Sequence, residues 1–153
     1  MISFEKLSND DSVRDVIQSA FNSNLPVEDS WGYEQEDATI ITSTEMPYKQ
    51  LEHMFASMRA YLEMNMIQEE SKRYGSINVN ELSRDTLKQN TVTYHQVKYE
   101  ITAIKELLYT EFIKEYKENY GKETFDLARH FQKRKEATLR REVTHWFKLS
   151  IKA

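Results

Sequence analysis

The sequence predicts an α+β domain: a small antiparallel or mixed sheet of about three strands packed against four helices, in the order α-β-α-β-β-α-α. Three observations predict it. Long amphipathic stretches at helical spacing alternate with short runs of period two. Only three glycines (Gly32, Gly75, Gly121) and two prolines occur in 153 residues, too few for the many turns of an all-β sandwich or barrel. That length suits one domain, residues 1–153, with a core of its own.

The first helix is expected over residues 10–22, where Val13, Val16, Ile17, Ala20 and Phe21 share a face and Ser8 or Asp10 caps the start. Asn22 to Pro26 ends it. Residues 27–37, VEDSWGYEQED, read as an acidic loop in which Trp31 and Tyr33 flank Gly32. Residues 38–43 read as a short strand.

Thr44 as a cap and Pro47 in the first turn open a second helix, which should run to about residue 68. Leu51, Met54, Phe55, Met58, Leu62 and Met66 line its apolar face. Methionine stripes occur in adaptable binding grooves, but on one amphipathic helix core packing is the plainer reading.

After Gly75, Ile77 and Val79 mark a short strand. Val97, Tyr99, Ile101 and Ala103 then alternate with polar residues. Residues 92–104 therefore suit one long strand, or a strand that turns into the next helix from Tyr99 onward. A helix over 105–120 carries the ridge Leu108, Phe112, Tyr116 and Tyr120, and Gly121 stops it. The last segment, 122–153, reads as a basic C-terminal helix with Phe125, Ala128, Phe131, Leu139, Val143, Trp146 and Phe147 on its apolar face. Residues 132–138 interrupt that face, so the helix bends or extends from the core.

Several chemistries are excluded or left without support. The absence of cysteine removes disulfides, thiolate metal sites and thiol catalysis. Three scattered glycines cannot build a phosphate-cradling loop. No apolar run approaches the roughly 18 residues of a membrane helix, and early acids (Asp10, Asp11, Asp15) do not suit a targeting leader, so a cytoplasmic protein without membrane contact is expected. Asp126 with His130, and Glu142 with His145, are the helical pairs nearest to a metal motif. No second Glu-x-x-His accompanies them, so neither a metal nor a cofactor is expected. No Gly-x-Ser-x-Gly turn occurs, and no catalytic residue is assigned.

Charge is distributed unevenly. The net charge is −4, yet residues 122–153 hold nine Lys/Arg against four Asp/Glu, and the first forty residues hold nine acids against two bases. This asymmetry carries the functional expectation: a non-catalytic, acidic protein-interaction or regulatory protein, of the inhibitor or immunity type, with a basic protein partner. Trp31, Tyr33, Glu34, Glu36 and Asp37 are its expected contact residues, aromatic anchors inside an acidic rim. The basic segment binding the acidic loop of a second copy would give a homodimer. A nucleic-acid-associated protein is the alternative, through Arg129, Lys133, Arg134, Arg140 and Arg141 on one helix. An enzyme without a recognisable motif stands third.

Overall fold

Along the chain the elements are α1 (Val13–Phe21), β1 (Val27–Asp29), β2 (Thr39–Ile41), α2 (Tyr48–Tyr61), β3 (Tyr74–Gln89), β4 (Val92–Lys105), α3 (Glu106–Asn119), α4 (Leu127–Glu136) and β5 (Leu139–Leu149). They come from a computed structural model that describes residues 3–43 and 45–149. Thr44, offered above as a cap, and Lys152 of the basic segment lie outside the described residues.

The α+β class stands, but the strand count and element order are corrected. Five strands form one mixed sheet in the spatial order β1-β2-β5-β4-β3. The element order is α-β-β-α-β-β-α-α-β rather than α-β-α-β-β-α-α. The expected C-terminal helix over 122–153 is also corrected: among the described residues of that segment only α4 is helical, and the chain then returns as β5 through the middle of the sheet. β5 pairs antiparallel with β4, from Ala103↔Leu139 to Thr93↔Leu149, and parallel with β2.

The reason for that miss is visible in the residues. Leu139, Val143, Trp146 and Phe147 suit a helical face, but the register alternates Leu139, Arg141, Val143, His145 and Phe147 toward the core. Two of those five are polar, which hides the period of two. β1 falls in the expected acidic loop: only Val27 of its three residues is buried, so it carries no alternating pattern.

The β3–β4 hairpin decides the other ambiguity in favour of a strand throughout 92–104. Its turn is Asn90-Thr91, both with positive φ (49° and 71°), as a two-residue hairpin of right-handed twist requires. Asn-Thr is a weaker turn signal than Asn-Gly, so the hairpin was not obvious. Register shifts near Gly75/Asn78 and Glu81/Ser83 interrupt the pairing. At the tip, the Gln35 amide donates to Gln89 Oε1 at 3.0 Å, tying the hairpin to the loop before β2.

Helix α1 is capped by Ser12, whose hydroxyl accepts from the Asp15 N–H, and ends on left-handed Asn22 (φ 51°). α2 lies on the inward face of the sheet. Leu51 and Phe55 are fully buried there with Val97, Tyr99, Ile101, Phe147 and Ile41. Met54 and Met58 pack on this core half-buried, while Met66 is 43% exposed. Beyond Tyr61 the helix widens into one π turn, Leu62–Met66, and that turn points Glu63 and Asn65 inward. Pairing of Glu63 there sets up the site described next.

Candidate functional site

The acidic loop is built on a rigid base. Gly32 adopts φ +83°, its N–H donates to Asp37 O at 2.9 Å, and its carbonyl accepts from the Trp146 N–H at 2.8 Å. A Cβ there would stand 2.2 Å from His145 Cδ2, so only glycine fits. Trp31 is not a surface anchor. It is 2% exposed, stacks on Phe55 with ring centroids 5.5 Å apart, and donates its indole N–H to Ser8 O at 3.1 Å. This is a core tryptophan, packed inside the domain rather than presented at its surface.

Tyr33 is half-buried and engaged on both sides. Its hydroxyl donates to Glu63 Oε2 at 2.5 Å and accepts from the Leu7 N–H at 2.9 Å. Burial, and then the Glu63 charge, push its ionisation far above the normal tyrosine value. Glu34, Glu36 and Asp37 are exposed at the outside of the same loop, and Glu28 and Asp29 are exposed on β1 beside it. None of these five acids has an ion-pair partner among the described residues.

Behind the loop, Arg59 of α2 is 2% exposed and donates to Trp31 O and Thr144 O, both at 3.1 Å. Its guanidinium also lies 4.5 Å from the Tyr33 ring centroid. Burial lowers its ionisation, and the neighbouring Glu63 partly restores it. The loop is thus held by a buried cation that joins it to both α2 and β5.

The five cations of the alternative reading are not on one helix. Arg129, Lys133 and Arg134 lie on α4, whereas Arg140 and Arg141 are consecutive residues of β5 and point to opposite faces. Arg140 pairs with Glu100 and Arg141 with Glu63, each at 3.1 Å. Arg134 sits over the Tyr109 and Phe131 rings, at 5.7 and 5.5 Å. Arg129, Lys133 and Arg134 have no ion-pair partner among the described residues.

The two histidine pairs noted above are drawn apart. Asp126 caps α4 by accepting from the Arg129 N–H, while His130 is buried and faces Glu115 at 3.1 Å. Glu142 and His145 occupy opposite faces of β5. No group of three or more potential metal ligands occurs among the described residues.

One cluster escaped the sequence reading. Glu52, fully buried on α2, accepts from Arg84 Nη1 and faces His95 Nδ1, both at 2.6 Å. Arg84 also donates to Glu81 at 2.8 Å, which holds that carboxyl below its usual range. The signal was weak: an acid next to Leu51 on an amphipathic helix reads as the border of a polar face. The pairing is between a helix and a hairpin 32 or 43 residues away, a separation at which spacing carries no information.

The chain matches no protein family, no curated protein and no solved structure. Among the described residues no helix is long and apolar enough to cross a membrane.

Proposed function

We propose that the protein is a non-catalytic, acidic interaction protein of the inhibitor or immunity type, whose partner is basic. The supporting observation is the group formed by Glu28 and Asp29 on β1 and Glu34, Glu36 and Asp37 on the loop beside it: five exposed carboxylates without counter-ions among the described residues, around a loop pinned by Gly32, Trp31 and Tyr33. Solvent-exposed like charges repel one another and gain little for the fold. A rigid mounting removes the entropy cost of ordering them on a partner. In this reading the acids make the contact, and the two aromatics hold the loop in shape.

The test is capture by the tagged protein from its own cells after nuclease treatment, compared with the Glu34→Gln/Glu36→Gln/Asp37→Asn variant. One basic protein retained at stoichiometric level, and lost with the variant while the melting temperature is unchanged, is the expected result. Retention that ignores the three neutralisations overturns the reading.

Nucleic-acid association keeps one favourable observation, Arg129, Lys133 and Arg134 of α4, without ion-pair partners among the described residues, beside the exposed Phe131 ring. It would show as binding that falls steeply with salt and disappears in Lys133→Glu/Arg134→Glu.

A further inference from the structure

A cavity of about 210 Å³, several times the roughly 30 Å³ share of one liquid water, opens beside the acidic loop. Phe4, Lys6, Tyr33, Arg59, Glu63 and Arg141 line it. Three cations there face one carboxylate. Both Glu63 oxygens are already engaged, Oε2 by the Tyr33 hydroxyl and Oε1 by Arg141 Nη1. Arg59, at 2% exposure, commits two of its five N–H donors, and both go to main-chain carbonyls. Neither Arg59 nor Lys6 has an ion-pair partner among the described residues. The nearby Glu63 charge offsets the burial of Arg59 only in part, because its oxygens are bonded to Tyr33 and Arg141, and an entering anion lowers the remaining cost.

We propose that this cavity binds a compact oxyanion of the phosphate class, held by Lys6 and Arg141 against the fixed charge of Arg59. The lining carries two more positive charges than negative, so a dianion balances it where a monocarboxylate leaves one cation over. Arg141 already lines the cavity and spends Nη1 on Glu63 at 3.1 Å, which leaves its other N–H donors for an anion, and its guanidinium is braced 4.5 Å from the Phe4 ring centroid. The planar guanidinium fork suits a tetrahedral oxyanion, to which two N–H donors can bond at once. Lys6 is exposed and closes the open side. The site is separate from the five carboxylates that carry the proposed function, and neither depends on the other.

Titration of inorganic phosphate at constant ionic strength, followed by amide chemical shifts, is the test. The expected result is one saturable site with a dissociation constant below about 10 mM, with shifts at Lys6, Leu7, Tyr33 and Thr144. Lys6→Glu, outside any helix or strand, should abolish saturation with the thermal midpoint preserved. Arg141→Lys keeps a cation beside Glu63 but loses the fork, and should weaken binding about tenfold. No saturable shift, shifts confined to α4, or an isotherm unchanged by Lys6→Glu would overturn the proposal. Acetate binding as tightly as phosphate would overturn the ligand class.

Discussion

The Tyr33 hydroxyl donates a hydrogen bond to Glu63 at 2.5 Å, so the middle of the acidic loop is locked to the π turn that ends α2. Arg141 reaches the other oxygen of the same carboxylate from β5. Two residues singled out for opposite functions, one for an acidic contact and one for nucleic acid, thus meet at a single buried acid. Glu63 is the hub, and its 2% side-chain exposure makes its satisfaction a condition of folding.

Removing either donor should therefore cost stability. Arg141→Gln leaves a buried carboxylate without its cation and should cost about 3 kcal/mol. Tyr33→Phe removes two hydrogen bonds, one to the Glu63 carboxylate and one from the Leu7 N–H, and should cost about 2 kcal/mol. Urea unfolding of the two single variants and the double variant measures both, and the pair should be non-additive because they share one partner. Simple additivity would mean that Glu63 does not couple them.

The glycines separate backbone strain from steric exclusion. Gly32 and Gly121 both adopt φ +83°, but a Cβ at Gly32 collides with His145 and the Trp146 carbonyl, while one at Gly121 meets nothing within 4 Å. Gly121→Ala should cost only about 1 kcal/mol, the strain of a left-handed residue. Gly32→Ala should cost about 3 kcal/mol or more, adding overpacking to the same strain. Thermal denaturation of the two variants side by side checks the contrast; equal losses would show that the loop can move off β5.

Trp31 gives a sharp contrast between anchor and core. Trp31→Ala empties the space against Phe55 and should cost about 4 kcal/mol. Denaturant unfolding is the check: a loss below about 1 kcal/mol would place the indole outside the core.

What the sequence could disclose follows from how locally each feature is encoded. Helices α1, α2 and α3 each show several apolar residues at one spacing; α1 and α3 lie within three residues of their expected bounds, while α2 stops at Tyr61 and only its π turn carries the helical stretch to Met66, near the expected 68. The exposure of Glu34, Glu36 and Asp37 follows from their run of acids. β5 stayed hidden because Arg141 and His145 occupy inward positions and break the alternation that marks a half-buried strand. Those two residues tolerate the interior only because Glu63 and Thr39 meet them there, from 78 and 106 residues away. The same distance hid Arg59, Glu52 and Glu63. An ionic side chain on an amphipathic helix reads as surface until its partner is known.

His145 provides the pH dependence. It is fully buried and stacked on Phe147, with ring centroids 4.1 Å apart. Thr39 donates its hydroxyl to Ser30 O at 2.7 Å, so its oxygen is left to accept the His145 Nε2–H at 3.0 Å. Nδ1 then carries the lone pair and has no hydrogen-bond partner among the described residues. A second proton would go to Nδ1, where nothing accepts it. Burial first, and the Arg59 charge second, hold the folded-state pKa well below the ordinary 6.5. The unfolded chain titrates near that ordinary value, so below it the unfolded state binds a proton that the folded state refuses. Stability must therefore fall as pH drops through about 6.5, approaching a slope of about 1.4 kcal/mol per pH unit from this one group. Between pH 7 and pH 5 that amounts to about 2 kcal/mol. His145→Gln keeps a donor for Thr39 but cannot take up the proton. Urea unfolding at both pH values should show the variant less stable at neutral pH yet losing about 2 kcal/mol less on acidification. The other three histidines are common to both proteins, so a difference in slope belongs to His145. Parallel losses in the two proteins would mean that the ring takes up its proton without unfolding the core.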